Sequence, residues 1–127
     1  MAALTEEKIQ FLQHYDQLLH TMSEGFDYIE ENLAEEAPPE VEQVFTDLVQ
    51  AMQQLHQGNQ QLPAFIGDTE QLKYQIVDFQ EIVEMMSEWF EKPTNLDKKS
   101  LISGKVAPNF ESWRVSMHQL LKPNIQH

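Results

Sequence analysis

Cysteine is absent from the 127 residues, which excludes disulfides, thiolate metal sites and any cysteine nucleophile. Glycine and proline are scarce, at four and six residues, which suits a helical chain with few turns better than a many-turned β-fold. No apolar run approaches the length needed to cross a bilayer. The first residues, Met-Ala-Ala-Leu-Thr-Glu-Glu-Lys, lack the basic and apolar regions of a secretory signal. A cytoplasmic protein without a membrane segment is therefore expected. Bases are also few: eight Lys and Arg stand against 21 Asp and Glu, a formal charge of −13. A protein of that sign is repelled by nucleic-acid backbones and anionic membranes, so neither is expected as a partner.

The negative charge is laid out unevenly. Residues 1–40 contain ten acids and one base, Lys8, whereas residues 93–127 contain five bases and two acids, Asp97 and Glu111. Within one fold the simplest arrangement lays the basic C-terminal part against the acidic first helix. A basic partner docking on the acidic face is the functional counterpart of the same pattern.

Apolar spacing supplies the architecture. Leu12, Tyr15, Leu19, Met22, Phe26, Ile29 and Leu33 recur at alternating intervals of three and four, which stacks them into one seam along a helix. Thr5 is the expected N-cap, with Glu6 and Glu7 in the first turn, where they complement the helix dipole. Phe11 and Leu18 widen the seam to the face of a bundle helix. Gly25 falls in mid-helix, where it costs about 1 kcal/mol relative to Ala; a close approach by another helix would explain it.

Further seams follow. Pro38 and Pro39 separate the first helix from a second, with Val41, Phe45, Leu48, Met52 and Leu55 on its inner face. This helix ends at Gly58-Asn59 or runs on to Pro63, and Phe65 and Ile66 then plug an end of the core. Asp68 with Gln71 reads as a capping box for a third helix carrying Leu72, Ile76, Phe79, Val83, Met86 and Phe90, with Ile82 and Trp89 alongside. Pro93 closes it. Residues 94–108 are the least regular, with Leu96, Leu101, Ile102 and Val106 as anchors and a short helix near 95–102. Pro108-Asn109 opens a last helix with Phe110, Trp113, Met117 and Leu120 inward, and Pro123 stops it. The expectation is a single all-α domain spanning 1–127. Its form is a mostly antiparallel four-helix bundle with three long helices and one shorter C-terminal helix. A longer rod burying its seams in a homodimer is the alternative.

Catalytic motifs are missing. The di-iron bundle signature needs Glu-x-x-His on two helices, and His14, His20, His56 and His118 are preceded three positions earlier by Phe11, Gln17, Gln53 and Val115. His-Glu-x-x-His, Gly-x-Ser-x-Gly and the phosphate-binding glycine loop do not occur. Asp16, His20 and Glu24, with Asp27 near, share a helix face by spacing, yet His20, Glu24 and Asp27 lie outside the seam, where acid–histidine pairs are ordinary helix support. No catalytic, cofactor or metal residues are therefore assigned.

Apolar residues outside the seams point instead to binding. Tyr74, Val77 and Met85 lie opposite the third seam, and form either an exposed contact patch or a face covered by residues 94–108. Glu30, Glu31, Glu35 and Glu36 supply an acidic rim. Met22, Met52, Met86 and Met117 place one adaptable side chain in each seam, as core filler or as a groove able to repack around a guest. The expected function is a non-enzymatic, protein-binding bundle of the adaptor, regulator or export-chaperone kind, whose partner is basic or presents an amphipathic helix. A ligand- or metal-binding bundle, with or without enzymatic activity, or an obligate homodimer with a structural role, is the alternative. The pattern is similar to small bacterial helical chaperones and regulators in architecture alone.

Overall fold

Thr5 opens the first helix as the sequence requires: its hydroxyl accepts from the Lys8 N–H at 3.2 Å, and α1 runs from Glu6 to Asn32. The computed structural model describes residues 5–125, so the first four and last two residues of the expected domain lie outside the described residues. All seven seam residues of α1 are buried. α2 (Glu40–Asn59) follows the proline pair and buries Val41, Phe45, Leu48, Met52 and Leu55. It ends at Asn59. Leu62–Ile66 then forms a separate one-turn helix, α3, with Pro63 in its first turn. Phe65 packs edge-on against Phe11, ring centroids 5.1 Å apart, and so closes the lower end of the core.

Gly67 ends α3 at φ 100°, a conformation that a side-chain-bearing residue rarely adopts. That turn places the next cap one residue beyond the expected one: Thr69, not Asp68, caps α4 (Glu70–Ser87), accepting from the Leu72 N–H at 3.2 Å. α4 tightens into a 3₁₀ turn over Glu88–Glu91 before Pro93. Its buried line is Leu72, Phe79, Ile82, Met86 and Trp89; Ile76 and Val83 are half-buried, and Phe90 is 74% exposed. The adjacent positions Trp89 and Phe90 both fit the apolar spacing. Trp89 takes the core because it stacks on Phe45, with centroids 4.1 Å apart and planes at 15°, while Phe90 is left at that ring's edge.

The C-terminal part is more regular than its sequence suggests. α5 (Asn95–Leu101), capped by Thr94, passes through a π turn at Ile102–Val106 directly into α6 (Ala107–Ile125). The last helix is thus comparable in length to α2 and α4. Pro108 does not start a new helix after a loop. Lacking an N–H, it fits where the ladder is already shifted to five-residue spacing, with the Ala107 N–H on the Ile102 carbonyl. The Asn109 amide donates to the Lys105 carbonyl at 2.7 Å. Pro123 lies in the final turn, where the backbone bond it cannot make supports only the last residues, and the helix continues to Ile125. Leu101, Ile102 and Val106 are anchors as expected, whereas Leu96 is 48% exposed, and Leu121 rather than Leu120 reaches the core.

The four long helices alternate in direction. Tyr15 meets Asn59 and Gly25 meets Leu48 along α1 and α2; Asp16 meets His118 and Phe26 meets Phe110 along α1 and α6. Trp113 of α6 donates from its indole N–H to the Gln75 carbonyl of α4 at 2.8 Å, and Lys105 meets Glu88 further along. A Cβ on Gly25 would come within 3.1 Å of Leu48 Cδ2, so the glycine does mark a close helix approach. The result is an all-α, antiparallel bundle, with no strand among the described residues. No described helix is long and apolar enough to cross a membrane.

Because Met22 is buried at the centre of α1, Met22→Asp places an unpaired charge in the core and is expected to unfold the domain. Far-UV circular dichroism at 25 °C checks this, and retained helicity with an unchanged melting temperature would show that α1 turns a different face inward.

Candidate functional site

Around the bundle, α1 packs closely on α2 and on α6, and α6 packs on α4. The circuit does not close: among the described residues, α2 and α4 share no close run of backbone and meet through side chains. Phe45 touches Trp89 and Phe90 near one end, and His56 Nδ1 lies 3.0 Å from Gln80 Nε2 near the other. Between these two bridges runs a groove of about 490 Å³. Met52 and Met86 form its floor, Val49 and Val83 its apolar walls, and Phe90 its upper lip. Gln53 and Gln57 edge the α2 side.

The groove has a direct origin in the sequence. Each wall is a helix that presents an apolar stripe wider than one neighbour can cover. α2 turns Val44 and Leu48 toward α1 and keeps Val49 and Met52 on the other shoulder. α4 is drawn toward α6 by Trp113, which both packs on Phe79 and hydrogen-bonds to Gln75. Val83 is then left half-covered and Phe90 uncovered. Methionine suits such a floor, because an unbranched thioether chain adjusts to whatever lies above it.

The residues singled out from the sequence are placed differently. Tyr74 and Val77 are exposed, at 67% and 57%, on the outer face of α4, and residues 94–108 do not cover them. Met85 is half-buried and lines a smaller hollow beside Ile82 and Trp113, on the side of α4 away from the groove. Glu31, Glu35 and Glu36 are exposed, and Glu30 is half-buried at a second hollow with Phe26 and Pro108. The Glu35 carbonyl accepts from Asn95 at 3.1 Å, which places the acidic rim at the end of the bundle where α5 begins. Tyr74 lies near the opposite end, in the second turn of α4, roughly 25 Å along that helix. The expected patch and rim are therefore two separate surfaces.

Several polar side chains near the core pair with one another, while Asn59 Nδ2 and Gln75 Oε1 are buried without a hydrogen-bond partner. The Tyr15 hydroxyl donates to Asn59 Oδ1, the pair bridging α1 and α2, and burial pushes the phenol far above its ordinary value, so it stays neutral. Of the acid–histidine cluster, His20 and Glu24 form an exposed pair at 3.3 Å, while Asp16 pairs with His118 of α6 at 2.8 Å. No group of three or more potential metal ligands occurs among the described residues. Glu111 chelates the Arg114 guanidinium and accepts from the Ser23 hydroxyl at 2.8 Å, linking α6 to α1. The Arg114 hydrogen bonds hold this carboxyl below the usual range; partial burial opposes them and Ser23 adds to them.

Open on one side, the fold defines a class: antiparallel helical bundles with an inter-helix groove. Within it the chain belongs to the family described as a domain of unknown function (DUF8042), whose model matches residues 10–116. That stretch includes both walls of the groove. No curated protein and no solved structure matches the chain.

Two substitutions on neighbouring residues distinguish core from groove. Trp89→Ala should cost about 3–5 kcal/mol, whereas Phe90→Ser should shift stability by no more than about 0.5 kcal/mol. Urea unfolding of both variants is the measurement, and a large loss for Phe90→Ser would return that ring to the core. Glu111 gives a pH signature. Its folded carboxyl titrates below the unfolded value, so its contribution is complete above about pH 4.3 and is lost as the pH falls through the folded value. With its side chain 47% exposed the effect is small, below about 1 kcal/mol, and Glu111→Gln should flatten that part of the acid limb in pH-dependent melts.

Proposed function

We propose that this protein is a cytoplasmic, non-enzymatic, protein-binding bundle of the adaptor, regulator or chaperone kind. Its α2–α4 groove receives one helix of a partner protein. The observation that carries this reading is the open α2–α4 side, where Phe90 stands in solvent beside a floor of two methionines. Helix-in-groove recognition uses just these parts: an apolar trough between two helices that accepts anchors at i, i+3, i+4 and i+7 of a guest. The groove spans Val49–Gln57 on α2 and Gln80–Phe90 on α4, about 12–15 Å, enough for two to three turns of such a helix. The Tyr15–Asn59, Ser23–Glu111 and Asp16–His118 pairs are made within the fold, whereas the groove's apolar surface is left open to a guest.

A photo-crosslinking residue at Gln53, on the groove edge, is the test in living cells, with one at Gln10 on α1 as control. The Gln53 position should yield one defined conjugate that the control does not. The conjugated protein, made separately, should bind with an affinity reduced at least tenfold by Val83→Glu. Conjugates from both positions alike, or binding indifferent to Val83→Glu, would reject the groove as the contact surface. A dimer in light scattering that dissociates on Val83→Glu would assign the groove to a second copy and overturn the reading. A small apolar molecule retained in native mass spectra would do the same.

A further inference from the structure

Resting on that reading, we infer that the helix accepted by the groove is a basic amphipathic one, carrying its positive side chains on one flank only. The two walls differ in charge. Along α4 the groove-facing line of Gln80, Val83 and Ser87 is bordered by Glu84, and the 3₁₀ turn that follows carries Glu91, about two turns further on the same wall. Both are exposed, and neither has an ion-pair partner among the described residues. Along α2 the border is Gln50, Gln53 and Gln57, polar and uncharged. Glu42, toward the head of the groove, is matched by Lys98 at 3.6 Å, whose ammonium also lies 4.9 Å from the Trp89 ring centre.

A guest with its apolar stripe down therefore meets carboxylates on its α4 flank and amides on its α2 flank. Two Lys or Arg residues about two turns apart on the first flank satisfy the Glu84–Glu91 spacing. The formal charge of −13 favours the same sign of guest at long range, by raising its encounter rate. A second copy of this chain fits less well. It carries the same acids, and most bases of its C-terminal part are engaged internally: Lys98 with Glu42, Lys105 with Glu88, Arg114 with Glu111. Specificity in this arrangement comes from repulsion as much as attraction, since an acidic helix would place like charges along the α4 rim.

The probe is a fluorescent synthetic helix with leucines at i, i+3, i+4 and i+7 and two lysines seven apart on one flank. It is compared with peptides bearing Gln or Glu at the lysine positions, by anisotropy with the intact protein. The lysine peptide should bind roughly five- to tenfold more tightly than the glutamine peptide, the size expected of two exposed ion pairs, and the glutamate peptide more weakly than both. That preference should fall below about twofold in Glu84→Gln/Glu91→Gln and in 1 M salt, where screening acts within about 3 Å. The double variant should melt at an unchanged temperature. Equal binding of the three peptides, lost on Val83→Glu, would leave helix binding standing and overturn the basic guest. No binding by any of them, or binding that survives Val83→Glu, would overturn both.

Discussion

Burial of the α1 stripe is the interaction on which the other helices depend. α1 packs closely on two long neighbours, so Leu12 to Leu33 serve α2 and α6 at once. Its cost is conformational: ordering 27 residues opposes folding at about 1–2 kcal/mol each, and a lone helix cannot recover that from its own hydrogen bonds. The stripe recovers it by being covered from both sides. Gly25 shows how tightly, since Leu48 already occupies the space a side chain would need. α4 is attached at one remove, through α6. The chain of rings from Phe26 to Phe110 to Trp113 to Phe79 carries packing from α1 across α6 into α4.

That order of attachment explains why one side stays open. With α4 tied to α6 by Trp113, its reach toward α2 is limited to the Phe45–Trp89 stack and the His56–Gln80 contact. Trp89 is fixed in the core at 2% exposure, stacked on Phe45 with the Lys98 ammonium over its ring. The groove is thus the remainder left by a stronger set of contacts. Its floor of Met52 and Met86 is soft, whereas the helices that carry it are fixed by the α1 and α6 packing. Precise walls with an adaptable lining suit recognition of one class of helix with tolerance for its particular side chains.

Polar pairs add register. Tyr15–Asn59, Ser23–Glu111 and Asp16–His118 each join α1 to a neighbour at one level of the bundle. Tyr15 and Asn59 are the case with the highest stakes, because both are buried and the Asn59 amide nitrogen has no hydrogen-bond partner. A helix slid by one turn would separate such a pair without replacing it, and a buried polar group left unpaired costs about 1–3 kcal/mol. The C-terminal helix does lie against the acidic first helix, with α6 packed on α1 and His118 on Asp16, and Lys98 and Lys105 pair in addition with Glu42 and Glu88.

By itself the sequence determined which helices form and, for α1 and α2, which faces they bury, because periodicity and capping are local properties read within one or two turns. Every seam residue of α1 and α2 was legible in this way. It also showed that chemistry is not encoded in any recognisable motif. What only the tertiary structure decided are the choices between near-equal local options. Trp89 or Phe90, Leu120 or Leu121, and Thr69 or Asp68 each fit their spacing, and packing against another helix selected one. Residues 94–108 look irregular because a proline and a glycine obscure a ladder that a π turn allows to continue. The groove was hidden for the same reason. Val49, Met52, Val83 and Met86 read as ordinary core residues, and their exposure to a guest depends on the distance between α2 and α4, which α1, α6 and Trp113 set from the other side of the bundle.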